Sequence, residues 1–306
     1  MHRDRGGWKM ADLIVDAVLA VFDRTILVMG PFLLVGGSTL VCVVGFVFYT
    51  TPFMSTEKNS VATVVLANTL GAWLWFNVLF NWFLCFRTSP GHPPREPPRS
   101  DSTQNDSMCQ KCDSFKPART HHCHVCQRCI LAMDHHCPWM ANCIGFYNYR
   151  YFVLTLFYLT VGCGFCSSLA VYQFSILKYL AQGPNAEPIP KYVLFVFFLT
   201  VTAGFAVGLL LVWHLYLILS GQTTIEFYQR RSTPNSRGRR SRPAWYKLAF
   251  FHPPLESNDY DLGPAQNWAR VFGESSNPFA WMLPSFRLPP GDGIRWKSCK
   301  SLVSLV

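Results

Sequence analysis

Charged side chains are scarce in this chain: Asp, Glu, Lys and Arg make up 14% of 306 residues, and only 17 residues are acidic. Soluble domains carry about a quarter, so a wholly water-soluble protein is excluded. Four stretches, 25–49, 61–86, 151–177 and 192–220, hold none of these four residue types. Each is long enough to cross about 30 Å of hydrocarbon at 1.5 Å per residue. Firm charge is therefore missing where an ion path would need it, and Asn68, Asn77, Asn81 and His214 are read as hydrogen-bond links between helices. The mean hydropathy is only +0.16, which excludes a bundle buried entirely in lipid. Polar protein must lie between the apolar blocks.

The N-terminal segment is expected to be retained and not cleaved as a leader. Residues 1–24 have a basic flank, but Asp12 and Asp16 interrupt the apolar run and no small-residue cleavage site follows. Lys9, Asp12, Asp16 and Asp23 share one helical face opposite Leu13, Ile14, Val18, Leu19 and Phe22, the pattern of an interfacial helix. Lys and Arg number four before the first apolar stretch, one after it, eight between the second and third, two in the next loop and twelve in the tail. The positive-inside rule then places both termini and the central loop in the cytosol. Asn105-Asp106-Ser107, a formal glycosylation acceptor, should accordingly be unused. The net charge of +10 and the run Arg230, Arg231, Arg237, Arg239, Arg240 and Arg242 suit an anionic bilayer surface, and no nucleic-acid partner is expected. Ser304-Leu305-Val306 has the hydroxyl and terminal Val of a PDZ-domain ligand.

The central loop is where the chain becomes specific. After a Pro-rich linker, seven of the twelve Cys fall between Cys109 and Cys143, interleaved with five His. Cys109, Cys112, His122 and Cys129 recur fourteen residues later as Cys123, Cys126, His136 and Cys143. Each set is Cys-x2-Cys-x9-His-x6-Cys, the donor set of a tetrahedral zinc site, and the two sets interlock. Zinc would supply folding energy that a loop with so few large apolar residues lacks.

Eight ligands leave one Cys over. Cys137 stands in Asp134-His135-His136-Cys137, where the unused His135 can take a thiol proton and Asp134 can orient the imidazole. The third apolar stretch begins fourteen residues later, so this thiolate works at the membrane surface. There it can accept an acyl group from a thioester whose tail lies among the helices. Lys116, Arg119 and His121 are placed to meet phosphates of such a donor. The rival reading is a zinc-stapled membrane adaptor or RING-like scaffold, which has no use for Cys137 and His135.

These residues resemble a known family. Lys116-Pro117-x-Arg119, Asp134-His135-His136-Cys137-Pro138-Trp139, Asn142-Cys143-Ile144-Gly145 and Asn148 are similar to the cysteine-rich domain of DHHC-type protein S-acyltransferases. Thr223-Thr224-Ile225-Glu226 resembles the family's Thr-Thr-x-Glu motif, and Asn267-Trp268 through Phe272-Gly273 its C-terminal segment. Leu288-Pro289-x-Gly291-x-Gly293-x-x-Trp296 looks most like the subgroup of animal palmitoyltransferase sixteen, enzymes of the endoplasmic reticulum or Golgi. The resemblance implies Cys137 as the acylated nucleophile, His135 as general base and Asp134 as its partner, with Thr224 near that carboxylate. Trp139 would meet the acyl chain, Lys116 and His121 the acyl-CoA phosphates, and Asn267 would buttress the fold. Palmitoyl-CoA would be the co-substrate, and membrane-apposed proteins with cytosolic cysteines the acceptors.

The expected fold is an all-α integral membrane protein of four transmembrane helices, with a small cytosolic domain stapled by two structural zinc ions between helices 2 and 3. Its parts are an interfacial helix (1–24), helices 1 and 2 (25–86), the two-zinc domain (87–150), helices 3 and 4 (151–220) and a cytosolic C-terminal region (221–306).

Overall fold

The computed structural model describes residues 5–50, 59–97, 107–180, 191–232, 258–275, 277 and 279–297. The tail Ser304-Leu305-Val306, the arginines from Arg237 to Arg242 and Asn105 lie outside these residues. Four long helices carry the apolar stretches: α1 (Arg5–Thr50), α2 (Val61–Arg87), α3 (Tyr149–Leu180) and α4 (Lys191–Leu219). Within them, Ala17–Tyr49, Val61–Arg87, Tyr149–Ser175 and Lys191–Leu219 are long and apolar enough to cross a membrane, and the chain is a multi-pass membrane protein. The N-terminal helix and the first span form one continuous element, α1, which passes through Pro31 without a break.

Small residues let the helices approach one another. A Cβ on Gly37 would meet the Trp82 ring at 2.8 Å, and one on Gly204 would meet the Cys163 Cβ at 2.8 Å, so α1 sits on α2 and α3 on α4 at these points. The expected polar links are mostly absent. Asn68, Asn77 and Asn81 donate their side-chain amides to carbonyls four residues back in their own helix, a local alternative open to Asn on any helix. His214 is the exception, its Nδ1 lying 3.0 Å from the Tyr149 hydroxyl across α3 and α4.

Between α2 and α3 the chain folds into three antiparallel hairpins: β1 (Ser107–Cys109) with β2 (Ser114–Lys116), β3 (His121–Cys123) with β4 (Arg128–Ile130), and β5 (His135–Cys137) with β6 (Asn142–Ile144). The last hairpin is fastened to the open end of α2. Asn142 Nδ2 donates to the Phe86 and Thr88 carbonyls at 3.1 and 3.2 Å, and Asn148 Nδ2 to Cys85 and Cys143 at 3.3 and 2.8 Å. Two asparagines thus satisfy carbonyls that a helix C-terminus leaves without partners, and they fix β5 at the end of the membrane helices. Beyond α4 come α5 (Thr224–Ser232), α6 (Pro264–Phe272) and a tail segment that returns along α3.

Candidate active site

Strand alternation decides which side chain goes where. In β3, His122 pairs with Cys129 across the hairpin while its neighbour Cys123 points to the opposite face. The middle hairpin therefore feeds two clusters at once: Cys109, Cys112, His122 and Cys129, and Cys123, Cys126, His136 and Cys143. In each cluster the donor atoms lie within 4.8 Å of one another. In the second, His136 Nδ1 is 3.3 Å from Cys126 Sγ and 3.5 Å from Cys143 Sγ, and those sulfurs are 3.4 Å apart. Ligands about 2.3 Å (S) and 2.0 Å (N) from one tetrahedral centre would stand roughly 3.5 to 3.8 Å from each other. Three cysteines and one histidine at this spacing fit zinc, and each cluster can hold one ion.

The same alternation separates the adjacent histidines. In β5, His136 faces its cluster and pairs with Cys143, so His135 and Cys137, two residues apart, share the other face. That face looks into a cavity of about 540 Å³ among the four spans, within the roughly 300 to 1,000 Å³ range of ligand pockets. His135, Cys137 and Trp139 line its mouth, and Gly162, Cys163, Cys166 and Thr200 lie deeper along α3 and α4. The walls are almost wholly apolar.

Behind His135 stands a buried carboxylate. Asp134 Oδ2 is 2.7 Å from His135 Nδ1, and Thr224 donates to Asp134 twice, from its backbone N at 2.8 Å and from Oγ1 at 2.9 Å. Burial alone would raise the Asp134 pKa, but the His135 hydrogen bond and charge outweigh it and hold it at about 2. Burial likewise disfavours the His135 cation, yet hydrogen bonds with Asp134 and Cys137 push its pKa up to about 10. The ring is thus bound to a carboxylate on one side and a thiol on the other. His214 and Phe152 pack against it, with centroids at 5.8 and 5.1 Å. Asp134, His135 and His214 also cluster within 4.8 Å, but the 2.7 Å contact and the two Thr224 bonds make this a hydrogen-bonded relay, not a metal site.

Thr224 reaches Asp134 because α5 begins there. Thr223 and Glu226 form a reciprocal cap: Glu226 Oε2 accepts from Thr223 N at 2.9 Å, and Thr223 Oγ1 from Glu226 N at 3.3 Å. The first helical residue, Thr224, then aims its N–H at the carboxylate, where the helix dipole favours negative charge.

Residues 102–231 match the sequence profile of the DHHC palmitoyltransferase family. The chain is 30% identical over 275 residues to palmitoyltransferase ZDHHC16A of Danio rerio, covering 74% of this chain and 67% of that protein. It is 32% identical over 268 residues to probable protein S-acyltransferase 15 of Arabidopsis thaliana, covering 84% and 99%, and 34% identical over 238 residues to palmitoyltransferase ZDHHC16 of Mus musculus, covering 73% and 62%. The chain belongs to the DHHC palmitoyltransferase family.

Arg119 corrects one expectation for this DHHC palmitoyltransferase. Its guanidinium is not presented to a phosphate: Nε and Nη2 grip Glu226 at 2.6 and 2.8 Å, Nη2 also donates to the Gly221 carbonyl at 3.2 Å, and the group lies over the Trp296 and Tyr260 rings at 4.3 and 4.9 Å. Arg119 therefore ties the zinc domain to the α5 cap and the C-terminal segment. Lys116 and His121 are half-buried on β2 and β3, where burial and the nearby Lys116 charge lower the His121 pKa. Trp139 is 54% exposed at the cavity mouth. Asn267, buried on α6, donates to the Leu219 carbonyl at the end of α4 at 3.0 Å and to Asp261 at 2.6 Å. Its Oδ1 would lie 2.9 Å from a Cβ on Gly221, whose φ of +65° also favours glycine.

Two functional features were not read from the sequence. The Arg119–Glu226 bond spans 107 residues and has no local signal. The Thr223-x-x-Glu226 cap does have one, since Thr followed three residues later by Glu is a helix-start signature.

Proposed function

We propose that this family member transfers long-chain acyl groups, palmitoyl among them, from acyl-CoA to cysteine thiols of membrane-apposed proteins in two half-reactions. In the first, the Cys137 thiolate attacks the thioester carbonyl, a new C–S bond forms, and coenzyme A leaves as a thiol after taking the proton that His135 received from Cys137. In the second, His135 accepts the proton of an acceptor thiol, that sulfur attacks the Cys137 thioester, and Cys137 is released with the proton returned to it. Asp134 holds the imidazole in register and stabilises its cation, and Thr224 holds Asp134. The zinc ions act as staples that keep β5 rigid, and no step passes through them.

The observation that carries this reading is that His135 and Cys137 share one strand face at the mouth of an apolar cavity, backed by Asp134. The acyl chain occupies that cavity, with Trp139 beside its thioester end, and Lys116 and His121 serve the donor's phosphates outside. The zinc domain faces the cytosol of an endoplasmic reticulum or Golgi membrane, where acyl-CoA is supplied. The C-terminal Ser304-Leu305-Val306 is offered to a PDZ domain. The test is incubation of the purified chain with labelled palmitoyl-CoA: a hydroxylamine-sensitive label on Cys137, transferable to a thiol acceptor, is expected. A chain that takes no label, or takes it elsewhere, would overturn the assignment.

A further inference from the structure

An acyl chain is apolar except at its thioester, so a polar group waiting in the cavity wall has one partner to meet. Most donors that line the cavity are already committed. Tyr49 donates its hydroxyl to the Asn68 carbonyl at 3.0 Å and Trp75 Nε1 to the Val41 carbonyl at 3.3 Å, while Thr155 and Thr200 donate to the Tyr151 and Val196 carbonyls of their own helices, each at 2.8 Å. His135 is taken by Asp134 and Cys137. Trp82 of α2 is different. It is 8% exposed, and of the buried side-chain nitrogens and oxygens without a hydrogen-bond partner among the described residues, only its Nε1 belongs to a residue that lines the cavity. A buried N–H without an acceptor is costly, and native structures keep few of them.

The indole stands at the thioester end. Trp82 lies five residues before the end of α2, about 8 Å in from the zinc-domain side, and Asn142 pins β5 to that same helix end. Trp82, Cys137 and Met140 belong to one buried cluster. On α1, a Cβ at Gly37 would stand 2.8 and 2.9 Å from Trp82 Cη2 and Cζ2 and 3.9 Å from Trp139 Cε3, so the two indoles meet at this position. Cζ2 is bonded to Cε2, which carries Nε1. The Trp82 N–H therefore lies on the indole edge turned toward Gly37, beside Trp139. Trp139 is 54% exposed and can give its own N–H to water, whereas Trp82 cannot.

Acyl transfer has a use for such a donor. When Cys137 Sγ attacks, the new C–S bond forms as the carbonyl π pair moves onto oxygen, and that pair returns as the coenzyme A sulfur leaves. The oxyanion between these events gains most from a donor held in a wall that excludes water. The same oxygen is charged again when an acceptor thiol attacks the Cys137 thioester. Neither catalytic partner of Cys137 can serve it, since His135 moves the thiol proton and Asp134 is an anion.

We propose that Trp82 is a further catalytic residue, whose Nε1–H donates to the thioester oxygen and stabilises its oxyanion in both half-reactions. The bond forms in the substrate complex, as catalytic hydrogen bonds often do. This inference rests on the acyl-transfer reading above. Two variants of the full chain remove the donor: Trp82→Phe, and replacement of Trp82 by β-(3-benzothienyl)alanine, which keeps the bicyclic shape with sulfur in place of N–H. Both should bind two zinc ions, and single-turnover acylation of Cys137 by palmitoyl-CoA should slow by about 10² to 10³ with little change in the half-saturating palmitoyl-CoA concentration. In acyl-enzyme carrying a ¹³C carbonyl, the infrared thioester stretch should move to higher wavenumber in either variant, because the carbonyl loses a hydrogen bond. If Trp82→Phe loses zinc, the benzothienyl variant decides alone. A rate in that variant within about threefold of the parent, or an unmoved carbonyl band, would overturn the proposal. A parent that takes no label would instead overturn the acyl-transfer reading itself.

Discussion

Gly162 gives the sharpest test of where the acyl tail ends. It lies ten residues beyond Phe152 on α3, about 15 Å into the spans, which is the reach of one acyl layer in a hydrocarbon core of about 30 Å. It lines the cavity, and nothing lies within 4 Å of a Cβ built on it. Of its neighbours, Cys163 lines the cavity and Gly164 does not, whereas Cys166 and Thr200 continue it by about one further turn. With that spare depth the parent should accept stearoyl-CoA about as well as palmitoyl-CoA. In Gly162→Phe the ring occupies the space of the last methylenes without displacing backbone. Each buried methylene contributes about 0.8 kcal/mol, so excluding the two that distinguish palmitoyl from myristoyl removes about 1.6 kcal/mol. Relative kcat/KM should move toward myristoyl-CoA by roughly 15-fold. The assay is competition labelling with myristoyl-, palmitoyl- and stearoyl-CoA, with Gly36→Phe as the control: that glycine is exposed on α1 away from the cavity, with open space around it. An unchanged chain-length profile in Gly162→Phe would refute the placement of the tail.

Three further outcomes follow from the geometry. Cys137→Ser should form no acyl-enzyme yet bind two zinc ions, whereas Cys126→Ser should lose metal and folded protein together; zinc analysis beside labelling separates the two, and a lost zinc equivalent in Cys137→Ser would make that residue a ligand. His135→Ala should slow acyl transfer by about 10² to 10⁴ with zinc retained, and His136→Ala should behave as a metal-site variant; single-turnover rates and zinc content decide. Glu226, buried and paired with Arg119, has its pKa held below the ordinary value because the arginine's charge and hydrogen bonds outweigh burial. Its ion pair therefore stabilises above the ordinary carboxylate pKa and is lost as pH falls through the lowered one. Arg119→Ala should cost about 3 to 5 kcal/mol near neutral pH, and in thermal melts Glu226→Gln should be less stable than the parent at neutral pH and converge with it on acidification.

Much of this molecule is determined locally and is legible in one dimension. The four spans follow from the absence of charge over lengths matched to a bilayer. The two zinc-ligand sets follow from a fourteen-residue offset, and the surplus of Cys137 and His135 from subtraction. Period-two alternation in a short strand explains why His135 and His136, neighbours in sequence, face different centres.

Tertiary structure decided the rest, because it depends on which distant segments meet. Thr224 reaches Asp134 only after α4 returns beside the zinc domain. Arg119, which looks like any basic residue available to a phosphate, is committed to Glu226 107 residues away, where two buried opposite charges must pair. The asparagines expected to join helices bond within their own, since spacing reveals a polar side chain but not what it faces.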